Sequence, residues 1–246
     1  MNFKCLMLIA TRGIVFRTIK YSESSIIADI YTEARGLQSY YINGIRSEKA
    51  KLKAGLFQPM SLLEIVAYAR EDKSLNRIRE ARLTYAYQSI PFDVRKGAIV
   101  LFMAEVVRKT IREIEPNPEL FAFLMDTLLF LDQTQERFYN VHLWFLVRLS
   151  GYLGFLPGGD FLPESPCFNL KEGAFCSRQP SDPWILEEEP SSLLYRLLEQ
   201  DCPLAQTIPL TRSQRQHLLN QILEYYRLHM DHLPDIQSHT ILHEIF

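Results

Sequence analysis

Short runs in which apolar and polar residues alternate occupy the first third of the chain. In one of them Ile26, Ala28 and Ile30 fall on one face of an extended strand, and the residues between them fall on the other. Turns rich in Gly, Ser and charged residues separate these runs, as is typical of hairpins. The pattern predicts strands at about 8–18, 24–32, 37–45, 60–69 and 75–84.

After the last of these runs, apolar residues recur at helical spacing instead. Pro116 ends the first predicted helix, and Asn117 followed by Pro118 is typical of the start of the next. Thr211 and Gln214 have the spacing of a capping box ahead of a later helix. The pattern predicts helices at about 97–114, 118–131, 138–153 and 211–229, with shorter ones near 191–200 and 238–246.

The two patterns together predict an α+β protein. Five short strands with one long connection are typical of an OB-fold β-barrel, although an SH3-like barrel would have a similar set of strands. We expect an OB-fold nucleic-acid-binding domain at residues 1–84 and a helical domain at residues 85–246. Residues 157–190 contain 6 of the 13 prolines, so an irregular Pro-rich insertion is expected within the helical domain.

Charge is divided unevenly between the two predicted domains. Residues 1–82 carry 14 of the 27 Lys and Arg but only 8 of the 29 Asp and Glu, a formal balance of +6. Residues 83–246 have a balance of −8, so the net charge of −2 hides two halves of opposite sign. A basic β-barrel without a catalytic motif favours nucleic-acid binding, because neutralising phosphates releases counterions.

The candidate DNA-binding residues lie on the predicted strands, the hairpin ends and the long connection. They are Arg12, Arg17, Lys20, Arg35, Arg46, Lys49, Lys51 and Lys53. Five of them are expected to form one patch: Arg35, Arg46, Lys49, Lys51 and Lys53. Four tyrosines between them in sequence are candidates for stacking on bases: Tyr21, Tyr31, Tyr40 and Tyr41. Alternatively, the charges form a solvated face and half of these tyrosines belong to the core.

The cysteines and histidines do not predict a metal site. Structural zinc usually takes two Cys-x-x-Cys pairs, but Leu170 and Gln179 stand three residues after Cys167 and Cys176. Histidines in the C-terminal tail have spacings that suit a transition metal, although Pro234 divides them into two pairs. We expect reduced cysteines, surface histidines, no metal and no cofactor. The histidines in question are His229, His232, His239 and His243.

The chain has no recognisable enzyme signature. It has no P-loop, no G-x-G-x-x-G, no G-x-S-x-G and no H-E-x-x-H motif, so a non-enzymatic protein is expected. The apolar run at residues 5–10 is shorter than a signal-peptide core, and no later run approaches the length of a membrane span. We expect a cytoplasmic, nucleoid-associated protein with no membrane partner.

Several short motifs, in this order and spacing, resemble the bacterial recombination mediator RecO. They are T-R-G-I-V-F-R at 11–17, D-I-Y-T-E-A-R-G-L at 29–37, N-G-I-R at 43–46, L-F-Q-P-M at 56–60, P-N-P-E-L-F at 116–121 and L-G-F-L-P at 153–157. The resemblance implies an OB-fold, a helical domain and an insertion that bears zinc in some members. It also implies binding of single- and double-stranded DNA, annealing of complementary strands, and assistance to RecA loading with RecR and single-strand-binding protein.

The resemblance further implies that the helical domain receives the C-terminal tail of single-strand-binding protein, a short acidic peptide ending in an apolar residue. Such a ligand needs basic residues beside an apolar pocket. Arg108 and Arg112, at helical spacing with Lys109, are candidates, as is Arg148 in the apolar third helix. With apolar neighbours on both sides, Arg148 is expected to reach either a ligand or a buried carboxylate such as that of Glu105.

Taken together, these features predict a non-enzymatic DNA-binding mediator of recombinational repair. One alternative is an adaptor whose helical domain binds proteins while the barrel contacts nucleic acid only weakly. A more distant alternative is a metal-dependent hydrolase that uses the C-terminal histidines. Only the first hypothesis predicts tight binding to single-stranded DNA with a steep salt dependence.

Overall fold

The computed structural model describes residues 7–45, 52–69, 75–178 and 182–246. These residues form two compact units. The first lies within Met1–Gln88 and Ala104–Leu128, and the second within Ser89–Met103 and Leu129–Phe246. A helical segment therefore belongs to the same unit as the N-terminal strands. The expected boundary after residue 84 stays a prediction.

The N-terminal strands form a closed five-stranded barrel with the order β1-β2-β3-β5-β4. β3 and β5 pair in parallel, and the other neighbouring strands pair antiparallel. With helices making up most of the rest of the chain, the expected α+β class with an OB-fold barrel is confirmed. The strands are β1 (Met7–Lys20), β2 (Ile26–Thr32), β3 (Gly36–Ile42), β4 (Leu62–Ala69) and β5 (Leu75–Leu83).

The interior of the barrel follows the alternation seen in the sequence. Ile26, Ala28 and Ile30 of β2 are buried in a core that also includes residues from the other four strands. A short 3₁₀ helix, Ala54–Phe57, places the Phe57 ring in the same core. The hydroxyl of Thr18 donates to the Phe57 carbonyl at 2.7 Å, which attaches this helix to β1.

A β-bulge interrupts the alternation in β1. Val15 lies opposite Ile30 and Arg17 lies opposite Asp29, so Phe16 is an extra residue in β1. Because of this extra residue, both Phe16 and Arg17 face away from the core. A second register shift, between Val66 and its neighbour Ala67, occurs where β4 pairs with β5. Bulges of this kind increase strand twist and help a small barrel to close.

The residues Phe16, Tyr31 and Phe121 form a stack on the outside of the barrel. The Phe16 and Tyr31 rings stack at 5.5 Å with 8° between their planes, and Phe121 stacks on Tyr31 at 6.4 Å. The Arg12 guanidinium lies 5.5 Å from the centre of the Phe121 ring. This part of the outer surface of β1 and β2 is therefore buried within the first unit by residues from the helical segment.

Gly36, at the start of β3, allows a second close approach within this unit. Its φ is +59°, and a Cβ atom at this position would lie 2.3 Å from the carbonyl oxygen of Glu115. The next residue, Leu37, donates its backbone N–H to the Glu113 carbonyl at 3.2 Å. Only glycine combines a positive φ with the absence of a side chain, so both features require it here.

The helices begin close to the residues that the sequence pattern predicts. The Thr211–Gln214 capping box is confirmed, with the Thr211 side chain accepting from the Gln214 N–H. The first helix ends at Thr110, so Arg112 lies beyond it and not at helical spacing as expected. The helices are α1 (Val94–Thr110), α2 (Pro118–Gln133), α3 (Val141–Tyr152), α4 (Glu188–Glu199), α5 (Cys202–Ala205), α6 (Arg212–His229) and α7 (His239–Ile245).

Helix α3 lies at the centre of the second unit, as its apolar sequence predicts. Nine of its residues are buried, including Trp144 and Phe145. Two hydrogen bonds join polar atoms of this helix to neighbouring elements. The Tyr226 hydroxyl donates to the Leu146 carbonyl at 2.7 Å, and Trp144 Nε1 donates to the Gln200 carbonyl at 2.9 Å. These bonds satisfy buried polar atoms that would otherwise destabilise the core.

The Pro-rich insertion is more regular than its composition predicts. It contains an antiparallel three-stranded sheet in the order β7-β6-β8. Asn169 organises the turn after the first strand, since its Oδ1 accepts the N–H groups of Lys171 and Glu172 and its amide donates to Asp182. Proline content favoured an irregular segment, but it did not exclude these short strands or the start of α4 at Glu188. The strands are β6 (Cys167–Asn169), β7 (Ala174–Cys176) and β8 (Ile185–Leu186).

The two cysteines of this sheet lie opposite each other on β6 and β7. Cys167 and Cys176 are both free thiols, and burial together with the neighbouring Cys167 raises the pKa of Cys176. Within the described parts of the chain, no group of three or more His, Cys, Asp or Glu side chains is arranged to hold a metal ion. Among the described residues, none of the helices has both the length and the apolar composition needed to cross a bilayer.

We predict that the protein folds to the same stability with or without zinc, because Cys167 and Cys176 supply at most half of a tetrahedral site. Purified, untagged protein is to be analysed for metal content and unfolded thermally with and without a chelator. The expected result is substoichiometric zinc and an unchanged Tm. One tightly held zinc per chain would contradict the prediction.

We predict that His142 makes the stability of the protein depend on pH. His142 is fully buried against the Phe246 ring, and its Nδ1 has no hydrogen-bond partner among the described residues. Burial, with smaller contributions from the charges of Arg215 and His243, lowers the pKa of His142 to about 3. The unfolded chain therefore binds the extra proton below its ordinary pKa near 6.5, and stability falls as the pH drops from there toward 3.

Because the pKa of His142 differs between the folded and unfolded states, protonation of this residue in the unfolded chain should lower the free energy of unfolding. The expected decrease is about 2 kcal/mol when the pH falls from 7 to 5. Urea unfolding at both pH values measures this change. His142→Phe removes the titrating group while keeping a ring, so its loss of stability over the same interval should be about 2 kcal/mol smaller. Identical pH dependence in both proteins would show that His142 is not the responsible group.

Candidate nucleic-acid interface

Five of the eight predicted DNA-binding residues can be placed in the barrel, whereas Arg46, Lys49 and Lys51 lie outside the described residues. Arg12, Arg17 and Lys20 are on β1, Arg35 is in the β2–β3 turn, and Lys53 directly precedes the 3₁₀ helix.

Two of the five are neutralised by carboxylates. Arg12 forms a bidentate pair with Glu33, with distances of 2.8 and 2.6 Å, and Arg17 bonds Asp29 at 2.5 Å. The hydrogen bond from Arg12 lowers the pKa of Glu33, so the pair stays ionised. Asp29 also accepts from the Ser39 hydroxyl at 2.6 Å. These arginines therefore contribute little net positive charge to the outer surface.

Of the expected patch of Arg35 with four residues of the long connection, only Arg35 and Lys53 are among the described residues, so the patch as a whole stays a prediction. Arg35 precedes the first residue of β3, and the long connection begins after its last residue, Ile42. A strand of this length spans about 20 Å, so Arg35 lies at the opposite end of β3 from the described start of the connection at residues 43–45. The sequence places the two in neighbouring segments, but the intervening strand separates them.

A different set of basic residues lies toward the end of the barrel that holds the β1–β2 connection. Lys20 ends β1, and Lys53 precedes the 3₁₀ helix that bonds Thr18. Arg77, at the start of β5, is directly opposite Tyr41 near the end of β3. All three are exposed, and no ion pair joins any of them to another described residue. We call Lys20, Lys53 and Arg77 the unpaired basic set.

The four candidate tyrosines divide evenly between core and surface. Tyr40 is in the barrel core and Tyr31 is in the outer stack, and burial raises the pKa of each to about 12. Tyr21 is 65% exposed, and its ring meets that of Tyr41 edge-on at 5.6 Å. The alternative that half of these tyrosines belong to the core is therefore correct, and two remain for a ligand.

A row of outward-facing residues starts at this end of the barrel, crosses all five strands and returns to β1 near its other end. Each member lies opposite the next across the strand pairings of the closed sheet. Arg77 and Tyr68 were not among the predicted site residues. Alternation in β4 and β5 would have placed both on the outer surface of the barrel, but their proximity to Tyr41 depends on the strand order. We call this set the outer row: Ile19, Ile27, Tyr41, Arg77, Tyr68 and Leu8.

The predicted partner-binding arginines have ordinary surface environments. Arg108 and Arg112 are exposed, and neighbouring Lys109 pairs with Glu105 at 2.6 Å. Arg148 is also exposed, and its Nη1 donates to the Leu198 carbonyl at 3.1 Å. Among the described residues Arg148 reaches no buried carboxylate, because α3 leaves this position open to solvent, and its role in binding a ligand stays a prediction.

The second unit contains a basic cleft that sequence reasoning did not find. Its volume is about 660 Å³, and its walls include Arg95, Arg137, Arg215 and Tyr139 but no Asp or Glu among the described residues. Arg95 is paired with Asp93 at 2.9 Å. The cleft therefore combines positive charge with apolar surface from Ile208, Pro209, Leu210, Ile245 and Phe246.

The arginines of this cleft differ in burial. Arg215 lies 5.9 Å from the Tyr139 ring centre, and it donates to Asn140 at 3.2 Å and to the Leu210 carbonyl at 3.0 Å. Burial lowers its pKa, but the guanidinium remains charged because its ordinary pKa is so high. Arg137 is exposed and without an ion pair to any described residue.

Three of the four C-terminal histidines, all except the exposed His232, are partly buried and serve packing, whereas surface histidines were expected. His229 is stacked on Phe155 at 5.6 Å, and its Nε2 lies 2.9 Å from the Leu170 carbonyl. His239 and His243 meet edge-on at 5.3 Å, and His239 Nδ1 contacts the Ile236 carbonyl. Nothing in these contacts favours the hydrolase hypothesis over a structural role.

Two family profiles match the chain in consecutive order. The one described as recombination protein O N terminal matches residues 7–87, and the one described as recombination protein O C terminal matches residues 91–236. Curated relatives named DNA repair protein RecO match as well. The relative from Bacteroides fragilis is 38% identical over 242 residues, which covers 98% of this chain and 100% of the relative.

Two further relatives with the same name extend this range. The protein from Phocaeicola vulgatus is 35% identical over 240 residues, covering 98% of this chain and 100% of the relative. That from Prosthecochloris aestuarii is 26% identical over 262 residues, covering 97% and 98%. Both profiles and nearly full-length similarity agree with the barrel and the helices described above, and the chain belongs to the RecO family of DNA repair proteins.

Proposed function

We propose that this protein is a non-enzymatic recombination mediator that binds single- and double-stranded DNA through its barrel and anneals complementary strands. The observation that supports the proposal is the placement of the unpaired basic set, Tyr21 and Tyr41 toward one end of the OB-fold. OB-folds bind oligonucleotides on the β2–β3 face and the adjoining β1–β2 and β4–β5 loops. Tyr21, Tyr41 and Arg77 lie in this region.

Annealing requires no catalytic side chain. Two single strands repel each other through their phosphates, and a basic surface that neutralises some of those phosphates lowers this barrier. Base pairing then supplies the driving force. Exposed cations without a carboxylate partner suit this task, because a cation already neutralised by a carboxylate adds little to the attraction of phosphate.

The family and the relatives' name support action at DNA gaps or breaks, together with partners in repair. We infer that the protein acts in the cytoplasm on nucleoid DNA and assists RecA loading together with RecR and single-strand-binding protein. Arg108, Arg112 and Arg148 stay candidates for partner binding. The basic cleft has features that better suit the tail of single-strand-binding protein, because cationic and apolar side chains lie together in it.

We predict that replacing the unpaired basic set will flatten the salt dependence of DNA binding. Each phosphate contact with single-stranded DNA contributes about 0.7 to the slope of log affinity against log salt, so Lys20→Ala/Lys53→Ala/Arg77→Ala should lower it by about 2. Fluorescence anisotropy with a labelled oligo(dT), measured across a series of salt concentrations, gives this slope.

The matched control removes three arginines that are already paired with carboxylates: Arg12→Ala/Arg17→Ala/Arg82→Ala. It changes the formal charge by the same amount, yet its slope should stay near that of the parent. Equal slopes for the parent and the first triple variant would place the phosphate contacts elsewhere, for example at Arg46, Lys49 and Lys51. No salt-dependent binding by the parent would refute DNA binding itself.

We predict that Arg137→Ala weakens binding of a peptide that matches the tail of single-strand-binding protein by roughly 5- to 100-fold, the range expected for losing a charge-assisted hydrogen bond. Titration of a fluorescent peptide measures the affinity. Arg148→Ala is measured beside it as the competing candidate, since Arg148 is exposed and bonded to a backbone carbonyl outside the cleft. A loss confined to the Arg148 variant would exclude the cleft and favour the earlier candidate.

A further inference from the structure

We propose that Tyr21 and the outer row bind DNA bases by stacking, and that this makes the β1–β2 end of the barrel selective for single strands over duplex. The inference rests on the proposed function, because it concerns the same end of the barrel. It adds that the faces of unpaired bases are the part of DNA recognised at this end, and it names the residues that recognise them.

The geometry of the Tyr21–Tyr41 pair leaves ring faces open to a ligand. The rings are 5.6 Å apart with 83° between their planes, so the edge of one meets the face of the other. In such a T-shaped pair, three of the four ring faces are not covered by the pair itself. Tyr21 is 65% exposed, so its ring is accessible to a ligand from solvent.

Tyr41 is held in place before any ligand arrives. The Ser25 hydroxyl donates to Asn43 Oδ1 at 3.0 Å, and Tyr41 Oη lies 3.0 Å from the same Ser25 oxygen. Because the single Ser25 proton is already used, Tyr41 is the donor in the second bond. The ring therefore loses little side-chain entropy on stacking against a base.

The outer row alternates rings with a cation. Arg77 on β5 lies directly opposite Tyr41 on β3 and, on its other side, opposite Tyr68 on β4. Neighbouring strands are about 4.8 Å apart, so a phosphate at Arg77 would have a ring on either side within reach of the adjoining bases. A nucleic-acid strand has the matching arrangement, because a phosphate lies between each pair of consecutive bases.

Duplex DNA cannot use this surface in the same way. Its bases are already stacked and paired, and it presents only their edges in the grooves. The first part of the outer row, Ile19 and Ile27, is apolar and attracts no phosphate. A duplex would thus contact the unpaired basic set but would gain nothing from the tyrosines.

The experiment compares three ligands of equal length: oligo(dT), an abasic oligomer with the same phosphates, and a duplex. The variants are Tyr21→Ala, Tyr41→Ala and Tyr21→Phe. Tyr152→Ala serves as the control, because it removes an exposed tyrosine of the second unit. Circular dichroism and thermal unfolding confirm that each variant is folded.

The parent should bind oligo(dT) more tightly than the abasic oligomer. Tyr21→Ala and Tyr41→Ala should each weaken oligo(dT) binding by about 5- to 150-fold, the effect of losing one base–aromatic stack. Their affinities for duplex and for the abasic oligomer should change less than about twofold, because the phosphate contacts remain. Tyr21→Phe and Tyr152→Ala should bind oligo(dT) like the parent.

Two outcomes would overturn the inference while leaving DNA binding intact. One is equal affinity of the parent for oligo(dT) and the abasic oligomer, which would show that bases contribute nothing. The other is a parallel loss of oligo(dT) and duplex binding in Tyr21→Ala and Tyr41→Ala. A parent that binds none of the three ligands would instead refute the proposed function, and this inference with it.

Discussion

The outer stack of Phe16, Tyr31 and Phe121 is the interaction on which the rest of the first unit depends. It buries one part of the outer surface of β1 and β2 under the helical segment, and Gly36 permits a second close approach at Glu115. Three aromatic rings removed from water provide several kcal/mol of stabilisation, about 25 cal/mol per Å² of apolar surface. The stack does not cover the β1–β2 end of the barrel, so that end remains accessible to a ligand.

Ion pairing determines where the charge of the barrel acts. The formal excess of positive residues suggests a uniformly basic surface, yet Arg12, Arg17 and Arg82 each contact a carboxylate. Such pairs are worth little as stabilisation when exposed, but they cancel the local field. The positive charge that a phosphate can encounter is thereby concentrated on the residues without partners.

The sequence was sufficient for the strands, most of the helices and the capping box of α6, because each is set by local alternation, helical periodicity or capping residues. Other features depend on contacts between distant segments. Tyr21 and Tyr31 are similar in local sequence, yet Tyr31 is buried because it stacks on Phe16 and on Phe121, which is distant in sequence. Likewise, the proximity of Arg77 to Tyr41 follows from the parallel pairing of β3 with β5, and the basic cleft follows from several helices.

The bulge at Phe16 makes the length of β1 as critical as its composition. Phe16 and Arg17 both face outward, the first into the stack and the second toward Asp29. Deleting Phe16 would keep Val15 opposite Ile30 and Arg17 opposite Asp29, but it would remove one ring of the stack. Deleting any other residue of β1 between these pairings and the strand ends would turn every residue on one side of the deletion to the wrong face, so engineered length changes belong in the connections.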